Sequence, residues 1–151
     1  MRKLYISAAL LLGVFAFSSC EDQDTTPVLQ EPTEFVLNTP AYVNGTYDLE
    51  HSTTLELTCS QPDYGFTAAT SYAVEVSLTG VFDGTESTVL GTTYSTARMN
   101  VDVAELAAAL TALATNADPE LTEADFPMVS EVYVRLIASL TNSGKGEIVS
   151  N

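Results

Sequence analysis

The side chains in this sequence that are best suited to chemistry are two cysteines, a single histidine and 20 acidic residues. Cys59 ends the run Leu55-Glu-Leu-Thr-Cys59, whose two-residue period places it on the apolar face of a strand. No His, Lys or Arg is close to it in the sequence, so we expect a buried and inert thiol. His51 has no second imidazole and no cysteine cluster with which to bind a transition metal, and we expect it at the surface.

The acidic residues offer many pairs for general acid–base catalysis, but such a pair needs one buried carboxyl with a raised pKa. Most of these residues fall in loops or at outward positions of the predicted strands. The sequence also lacks a Gly-rich phosphate loop, a Gly-x-Ser-x-Gly elbow and a Cys/His pair that would activate a nucleophile. We therefore expect no enzyme, and no catalytic residue, metal site or cofactor.

Cys20 differs from Cys59 because of the segment that precedes it. Residues 2–3 are basic, and the apolar run over residues 6–17 is shorter than the roughly 20 residues of a transmembrane helix. Residues 1–19 are therefore predicted to be a cleaved secretory signal. The segment Phe17-Ser18-Ser19-Cys20 resembles a bacterial lipobox, which makes Cys20 the predicted lipid attachment site and the lipid the membrane anchor. The alternative is a soluble secreted protein whose signal happens to end in cysteine.

The segment behind Cys20 is acidic and has no sustained periodicity, and we interpret residues 20–33 as a lipidated tether. Its start, Glu21-Asp22-Gln23-Asp24, resembles the export signal of surface-exposed outer-membrane lipoproteins, although it is also compatible with a simple solvated leader. Loss of Arg2 and Lys3 with the signal takes the formal net charge from −15 to −17. Such a charge disfavours nucleic acid and anionic headgroups as partners, whereas a neutral glycan stays possible.

Residues 34–151 are enough for one domain, and alternating apolar and polar residues predict a series of short antiparallel strands in it. The predicted strands are Glu34–Asn38, Leu55–Cys59, Tyr72–Leu78, Ser87–Leu90, Thr92–Thr96, Glu131–Leu140 and Glu147–Asn151. The first of these is expected at a sheet edge, and the two around Gly91 at an edge or a crossover. The one over residues 131–140, with Val132 on its inner face, is expected to be the longest. The last stops with the chain, so we expect the natural polypeptide to continue past Asn151.

Residues 102–116 change to helical spacing, and Asp102 with Glu105 gives an Asp-x-x-Glu capping box. Residues 122–125 are expected to form one further turn. The expected fold class is therefore all-β, an immunoglobulin or fibronectin type III-like β-sandwich with one inserted α-helix that packs over an opening of the sandwich. With Cys20 lipidated, Cys59 has no disulfide partner, so packing must stabilise the fold.

Sugar-binding sites commonly use flat aromatic platforms, and this sequence has no Trp. Tyr72 and Tyr133 fall on predicted strands. Tyr42, Tyr47 and Tyr64 fall in predicted loops, without a spacing that indicates a platform. We expect no carbohydrate-binding residue in this chain.

Four runs carry a resemblance to a known family, together with the lipobox and the acidic leader. They are Glu34-Phe-Val-Leu-Asn-Thr-Pro-Ala-Tyr-Val-Asn-Gly-Thr-Tyr-Asp-Leu49, Leu55-Glu-Leu-Thr-Cys-Ser-Gln-Pro-Asp-Tyr-Gly-Phe66, Tyr72-Ala-Val-Glu-Val-Ser-Leu78 and Val132-Tyr-Val-Arg-Leu136. The chain resembles the N-terminal part of SusE-type outer-membrane lipoproteins of starch-utilisation systems (the SusE/SusF family). The resemblance covers nearly all of the chain but includes no catalytic signature.

This resemblance implies a non-enzymatic lipoprotein on the outer membrane that faces the cell exterior. It implies binding of starch or a related glycan through domains that are absent here, beside other lipoproteins and the porin-type importer of the same system. Residues 34–151 would be the immunoglobulin-like N-terminal domain, a spacer without sugar-binding residues of its own. A surface adhesin or a protein-interaction module that uses the sandwich itself is the alternative.

Overall fold

The computed structural model of the protein describes residues 26–151, which contain six strands in two antiparallel sheets and one α-helix. In chain order the elements are β1 (Thr54–Thr58), β2 (Thr70–Ser77), β3 (Ser87–Tyr94), β4 (Arg98–Asp102), α1 (Val103–Ala117), a 3₁₀ turn (Glu123–Asp125), β5 (Tyr133–Leu140) and β6 (Ile148–Val149). β1 pairs with β4, and the other strands form a sheet in the order β3-β2-β5-β6. The predicted all-β sandwich with one helix is confirmed.

Alternate residues of both sheets meet in one apolar core. Its most buried members are Tyr72, Val74, Val76, Met99, Val101, Leu136 and Ala138, each at most 2% exposed. Burial of each Val, Leu or Met side chain among them stabilises the fold by roughly 1.5–3 kcal/mol, which makes the core the main source of stability. The predicted inward positions of β1 and β2 are confirmed, except that Leu78 follows β2 and is only half-buried.

The predicted helix is confirmed as α1, which packs against β2, β3 and β4 through a stripe that includes Val103, Leu106 and Leu113. Asp102 caps its N-terminus, since Glu105 N donates to Asp102 Oδ1 at 2.9 Å. Such a cap contributes about 1 kcal/mol. The reciprocal half of the predicted capping box is not formed: the Glu105 carboxylate accepts a hydrogen bond from Thr92 N in β3 instead, at 3.0 Å.

Two strand predictions need correction on the N-terminal side of the sandwich. Residues 34–38 form no strand, because only an isolated bridge joins Leu37 to Cys59. Val36 N donates to the Ser60 hydroxyl rather than to a backbone carbonyl, which interrupts the ladder. The strand over residues 98–102 was not predicted, although Met99 and Val101 alternate with polar residues, because the run passes directly into the helix.

Three further corrections concern strand extents in the larger sheet. The two strands predicted around Gly91 are one strand, β3, because a register shift opposite Ala73 and Glu75 absorbs the irregularity. Its predicted edge position is confirmed. β5 begins at Tyr133, so Val132 precedes it and is exposed, and β5 equals β2 and β3 in length. The predicted turn near residue 123 and the C-terminal return of β6 onto β5 are confirmed.

Candidate functional site

A charged pair lies on the face of the larger sheet that points away from the core. Glu75 and Arg135 are directly opposite each other on β2 and β5, and Arg135 Nε donates to Glu75 Oε2 at 2.6 Å. The Glu75 side chain is only 6% exposed, so the expectation that the acids lie in loops or on solvated faces is wrong for this residue. The pair was missed because its members are 60 positions apart in the sequence.

The loop between β2 and β3 covers this pair. Phe82 places its ring under the Arg135 guanidinium, with 4.5 Å from Cζ to the ring centroid, and its carbonyl accepts from Arg135 Nη2 at 3.4 Å. Ser87 Oγ donates to Glu75 Oε1 at 2.7 Å and accepts from Gly84 N. Both oxygens of Glu75 therefore have protein partners. The arrangement positions the loop and offers no free base for general acid–base catalysis.

The tyrosines that were predicted in loops are used for internal contacts. Tyr42 and Tyr47 donate their hydroxyls to the carbonyls of Glu56 and Thr54 on β1, each at 2.6 Å. Their ring centroids are 5.1 Å apart and the rings are inclined at 47°, so they form no flat platform. Because antiparallel strands direct alternate carbonyls to one edge, these hydroxyls cap two of the outward carbonyls of β1.

The other tyrosines are divided between core and surface. Tyr64 is 1% exposed, and burial raises the pKa of its hydroxyl, which has no hydrogen-bond partner among the described residues. Tyr72 is a core residue on β2, as expected for a strand position. Tyr133 is exposed and donates to the Glu131 carboxylate, which raises the pKa of the Tyr133 hydroxyl.

Cys59 and His51 lie where the sequence predicted them. The Cys59 thiol is buried, and burial raises its pKa to about 11, so almost no thiolate exists at neutral pH. His51 is exposed and its Nδ1 is 2.9 Å from Asp48 Oδ2, a hydrogen bond that holds the pKa of the Asp48 carboxyl below its usual value. Within residues 26–151, no group of three or more His, Cys, Asp or Glu side chains is arranged to hold a metal ion.

Two open clefts lie on the surface of the described part of the chain. One, of about 450 Å³, is lined by residues 61–68, and the other, of about 300 Å³, by Asn38, Tyr42, Glu56 and neighbouring residues. In the second cleft Asn38 Nδ2 donates to Thr58 Oγ1, and the Tyr42 hydroxyl is bound to β1. The polar groups of this cleft are thus largely paired within the protein, which leaves little to select a ligand.

The N-terminal segment over residues 29–35 lies beside the C-terminal segment over residues 146–151, and the two run in the same direction. Leu29 lies beside Gly146, where an added Cβ would be 3.7 Å from Leu29 Cδ1. Further along both segments, Asn151 N donates to the Phe35 carbonyl at 3.2 Å. The earlier residue of one segment thus contacts the earlier residue of the other, and the later contacts the later, so the two segments run parallel. Leu29 lies at one end of this parallel pair of segments and Asn151 at the other.

The lipid attachment site predicted at Cys20 and the acidic leader at residues 21–24 lie outside the described residues. Among the residues that are described, no helix has the length and apolar character needed to cross a membrane.

Comparison with known proteins gives one family match. The family model described as "SusE outer membrane protein" matches residues 21–137, which is more than half of the chain. No solved structure matches the chain.

Proposed function

The chain belongs to the SusE outer membrane protein family, and from this premise we propose that it is the membrane-proximal spacer domain of a cell-surface lipoprotein in a starch or polysaccharide utilisation system. Membership of the family supports a position at the outer membrane. In this proposal the glycan binds to domains beyond residue 151, beside other lipoproteins and the porin-type importer of the system. The domain itself performs no catalysis.

The observation that carries the proposal is the use of the tyrosines. Tyr42 and Tyr47 donate their hydroxyls to β1, and Tyr64 and Tyr72 are buried. A glycan platform needs an exposed, flat aromatic face, and no such face is offered by these four rings. The sandwich is therefore better suited to hold other domains than to capture a sugar.

The direction of the chain also supports a spacer. Leu29 lies at one end of the parallel N-terminal and C-terminal segments, and Asn151 lies at the other. Asn151 lies five positions after Gly146, which corresponds to up to about 17 Å of extended chain. A domain of this kind adds distance between a tether and whatever follows it.

We expect residues 21–151 to migrate unretarded in a native gel that contains amylopectin, because the rings of Tyr42, Tyr47, Tyr64 and Tyr72 are bound to β1 or buried. Bovine serum albumin is the non-binding reference, and a starch-binding protein is the positive control. Mobility should match that in a gel without polysaccharide. Clear retardation would place a sugar site in this domain and would contradict the spacer proposal.

The second candidate function is a protein-interaction module, which is favoured by exposed apolar residues in the segment between α1 and the start of β5. Met128, Val129, Val132 and Tyr133 are exposed there at 47%, 85%, 41% and 43%. Contiguous exposed apolar side chains are typical of protein contacts. The two candidates depend on different parts of the domain. A spacer requires only that its two chain ends lie apart, whereas an interaction module requires the exposed residues 128–133.

We further propose that Cys20 carries the lipid anchor and that the acidic segment Glu21-Asp22-Gln23-Asp24 directs the protein to the cell exterior. In cells fed a labelled fatty acid, Cys20→Ala is expected to abolish labelling and release the protein from the membrane fraction, since the thioether cannot form. Cys59→Ala is the matched control and should keep full labelling. Label that persists in Cys20→Ala, or an unlabelled wild type, would overturn this assignment.

A further inference from the structure

Residues 29–38, here called the bridging segment, are bonded to the chain that continues β1. They run antiparallel to residues 58–64, and three backbone hydrogen bonds of 2.8 to 3.0 Å join the two: Gln30 N to the Tyr64 carbonyl, Ser60 N to the Val36 carbonyl and Asn38 N to the Thr58 carbonyl. Two side-chain bonds add to these, from Val36 N to Ser60 Oγ and from Asn38 Nδ2 to Thr58 Oγ1. The bridging segment is therefore fastened to the smaller sheet.

The other side of the bridging segment faces the C-terminal segment, to which it runs parallel. Asn151 N donates to the Phe35 carbonyl at 3.2 Å, and the Phe35 side chain is 2% exposed in the core. The C-terminal segment is in turn bound to β5, because Ser150 N donates to the Leu136 carbonyl at 2.8 Å and Leu136 N donates to Ser150 Oγ at 3.0 Å. The bridging segment thus connects the smaller sheet to the larger one.

The directions of these segments determine how the domain carries a load that is applied at its two chain ends. A pull on the chain before residue 29 draws the bridging segment towards its N-terminus. A pull at Asn151 draws the parallel C-terminal segment the opposite way along the same axis. Hydrogen bonds between antiparallel strands are perpendicular to the strands. The load therefore acts as shear, and the bonds to residues 58–64 are stretched together instead of opening one after another.

We propose that the bridging segment is a shear-loaded clamp that keeps the domain folded when its two chain ends are pulled apart. The clamp rests on the proposed spacer function, in which Cys20 is anchored in the membrane and a large glycan is held by domains beyond residue 151. Movement of the glycan relative to the cell then pulls along the line between the two ends. Each residue released by unfolding would add up to about 3.6 Å of chain, so an unfolded spacer would no longer set a fixed distance.

Single-molecule force spectroscopy on residues 20–151 tests the clamp, since this segment includes every core residue of the sandwich. Unlipidated Cys20 provides the thiol for one handle, a tag after Asn151 carries the other, and Cys59→Ala removes the second thiol. In the comparison protein, Cys20→Ala and Val132→Cys move the first handle to a different place. Val132 is exposed and directly precedes β5, so the two proteins differ only in the direction of the pull.

The pull from position 132 opens bonds in sequence, because it begins at the end of β5 where Leu136 is bonded to Ser150. Forced unfolding depends on the unfolding rate, so the direction of the load affects the result even when the equilibrium stability is the same. We expect the unfolding force for the pull from Cys20 to be about twofold higher than that from position 132. Equal forces, or a lower force from Cys20, would overturn the proposal.

Ser60→Ala tests whether the bonds of the bridging segment carry the load. It removes the acceptor of Val36 N, one of the five bonds to residues 58–64. The unfolding force should fall by roughly a fifth for the pull from Cys20 and stay unchanged for the pull from position 132, since only the first direction stretches these bonds together. No loss from Cys20, or an equal loss in both directions, would contradict the clamp.

A second variant and the choice of readout keep the result interpretable. If circular dichroism shows that Ser60→Ala is unfolded, Asn38→Ala replaces it, because it removes the exposed bond to Thr58 Oγ1 in the same contact and should give the same direction-dependent loss. Neither lipid nor glycan takes part in the measurement. A failure of the clamp is therefore distinguishable from a failure of the proposed function, which retardation by amylopectin would show.

Discussion

Replacement of Arg135 by Ala is expected to lower the free energy of unfolding of residues 21–151 by about 3 kcal/mol. The change leaves the nearly buried Glu75 carboxylate without its charged partner, since Arg135 Nε donates to it at 2.6 Å. It also removes the stacking partner of Phe82 and thus loosens the loop between β2 and β3. Urea denaturation followed by circular dichroism at pH 7 measures the loss.

The matched control is Arg98→Ala in the smaller sheet. Arg98 also bridges two strands, with Nη1 3.0 Å from Glu56 Oε2, but the two side chains are 70% and 51% exposed. Solvent screens such a pair, so its loss should cost less than about 1 kcal/mol. Equal destabilisation by the two substitutions would show that burial of Glu75 does not determine the effect. A fully folded Arg135→Ala with unchanged stability would contradict the assignment of this pair as structural.

Local sequence patterns were sufficient for the parts of the fold whose residues contact a continuous apolar face. Leu55 and Leu57 alternate cleanly with polar residues, and Val103, Leu106 and Leu113 recur at helical spacing. In both cases the periodicity of the side chains matches that of the backbone, so burial follows from sequence position alone. The inert environment of Cys59 could be predicted for the same reason.

The Glu75 cluster could not be predicted in this way. The alternation of β2 places Glu75 opposite to the core side, which is normally solvated. Its burial depends on Arg135, which the strand register places opposite it, on Phe82 in the following loop and on Ser87 at the start of β3. These contacts join parts of the chain that share no local pattern.

The side-chain contacts at the edges of the sheets were also beyond sequence reasoning. Tyr42 and Tyr47 have no strand or helix spacing, and their role depends on which carbonyls of β1 face outward. The spacing of Glu105 from Asp102 predicted a capping box, yet the Glu105 carboxylate accepts a hydrogen bond from Thr92 N in β3. A local motif predicts which bonds a side chain is able to make, whereas tertiary structure decides which of them form. The same argument applies to Val36, whose amide is bound by the Ser60 hydroxyl and not by a strand.

The last turn before β6 offers a second large effect on stability. Gly146→Ala is expected to lower the free energy of unfolding by about 3 kcal/mol, because two costs combine there. Gly146 has a φ of +64°, a left-handed conformation that costs an L-residue roughly 1–2 kcal/mol. An added Cβ would also lie 2.6 Å from Tyr64 Cε1, and the buried ring has little room to move. Chemical denaturation measures the combined loss.

Gly144→Ala separates the two costs, because Gly144 has the same φ of +64° and no atom within 4 Å of an added Cβ. This variant should lose only the conformational part, about 1–2 kcal/mol. The difference between the two variants is then the cost of displacing the Tyr64 ring. Since Gln30 N donates to the Tyr64 carbonyl, the Gln30 amide should exchange with solvent faster in Gly146→Ala than in Gly144→Ala. Equal stabilities and equal exchange rates would mean that Tyr64 does not couple the N-terminal segment to this turn.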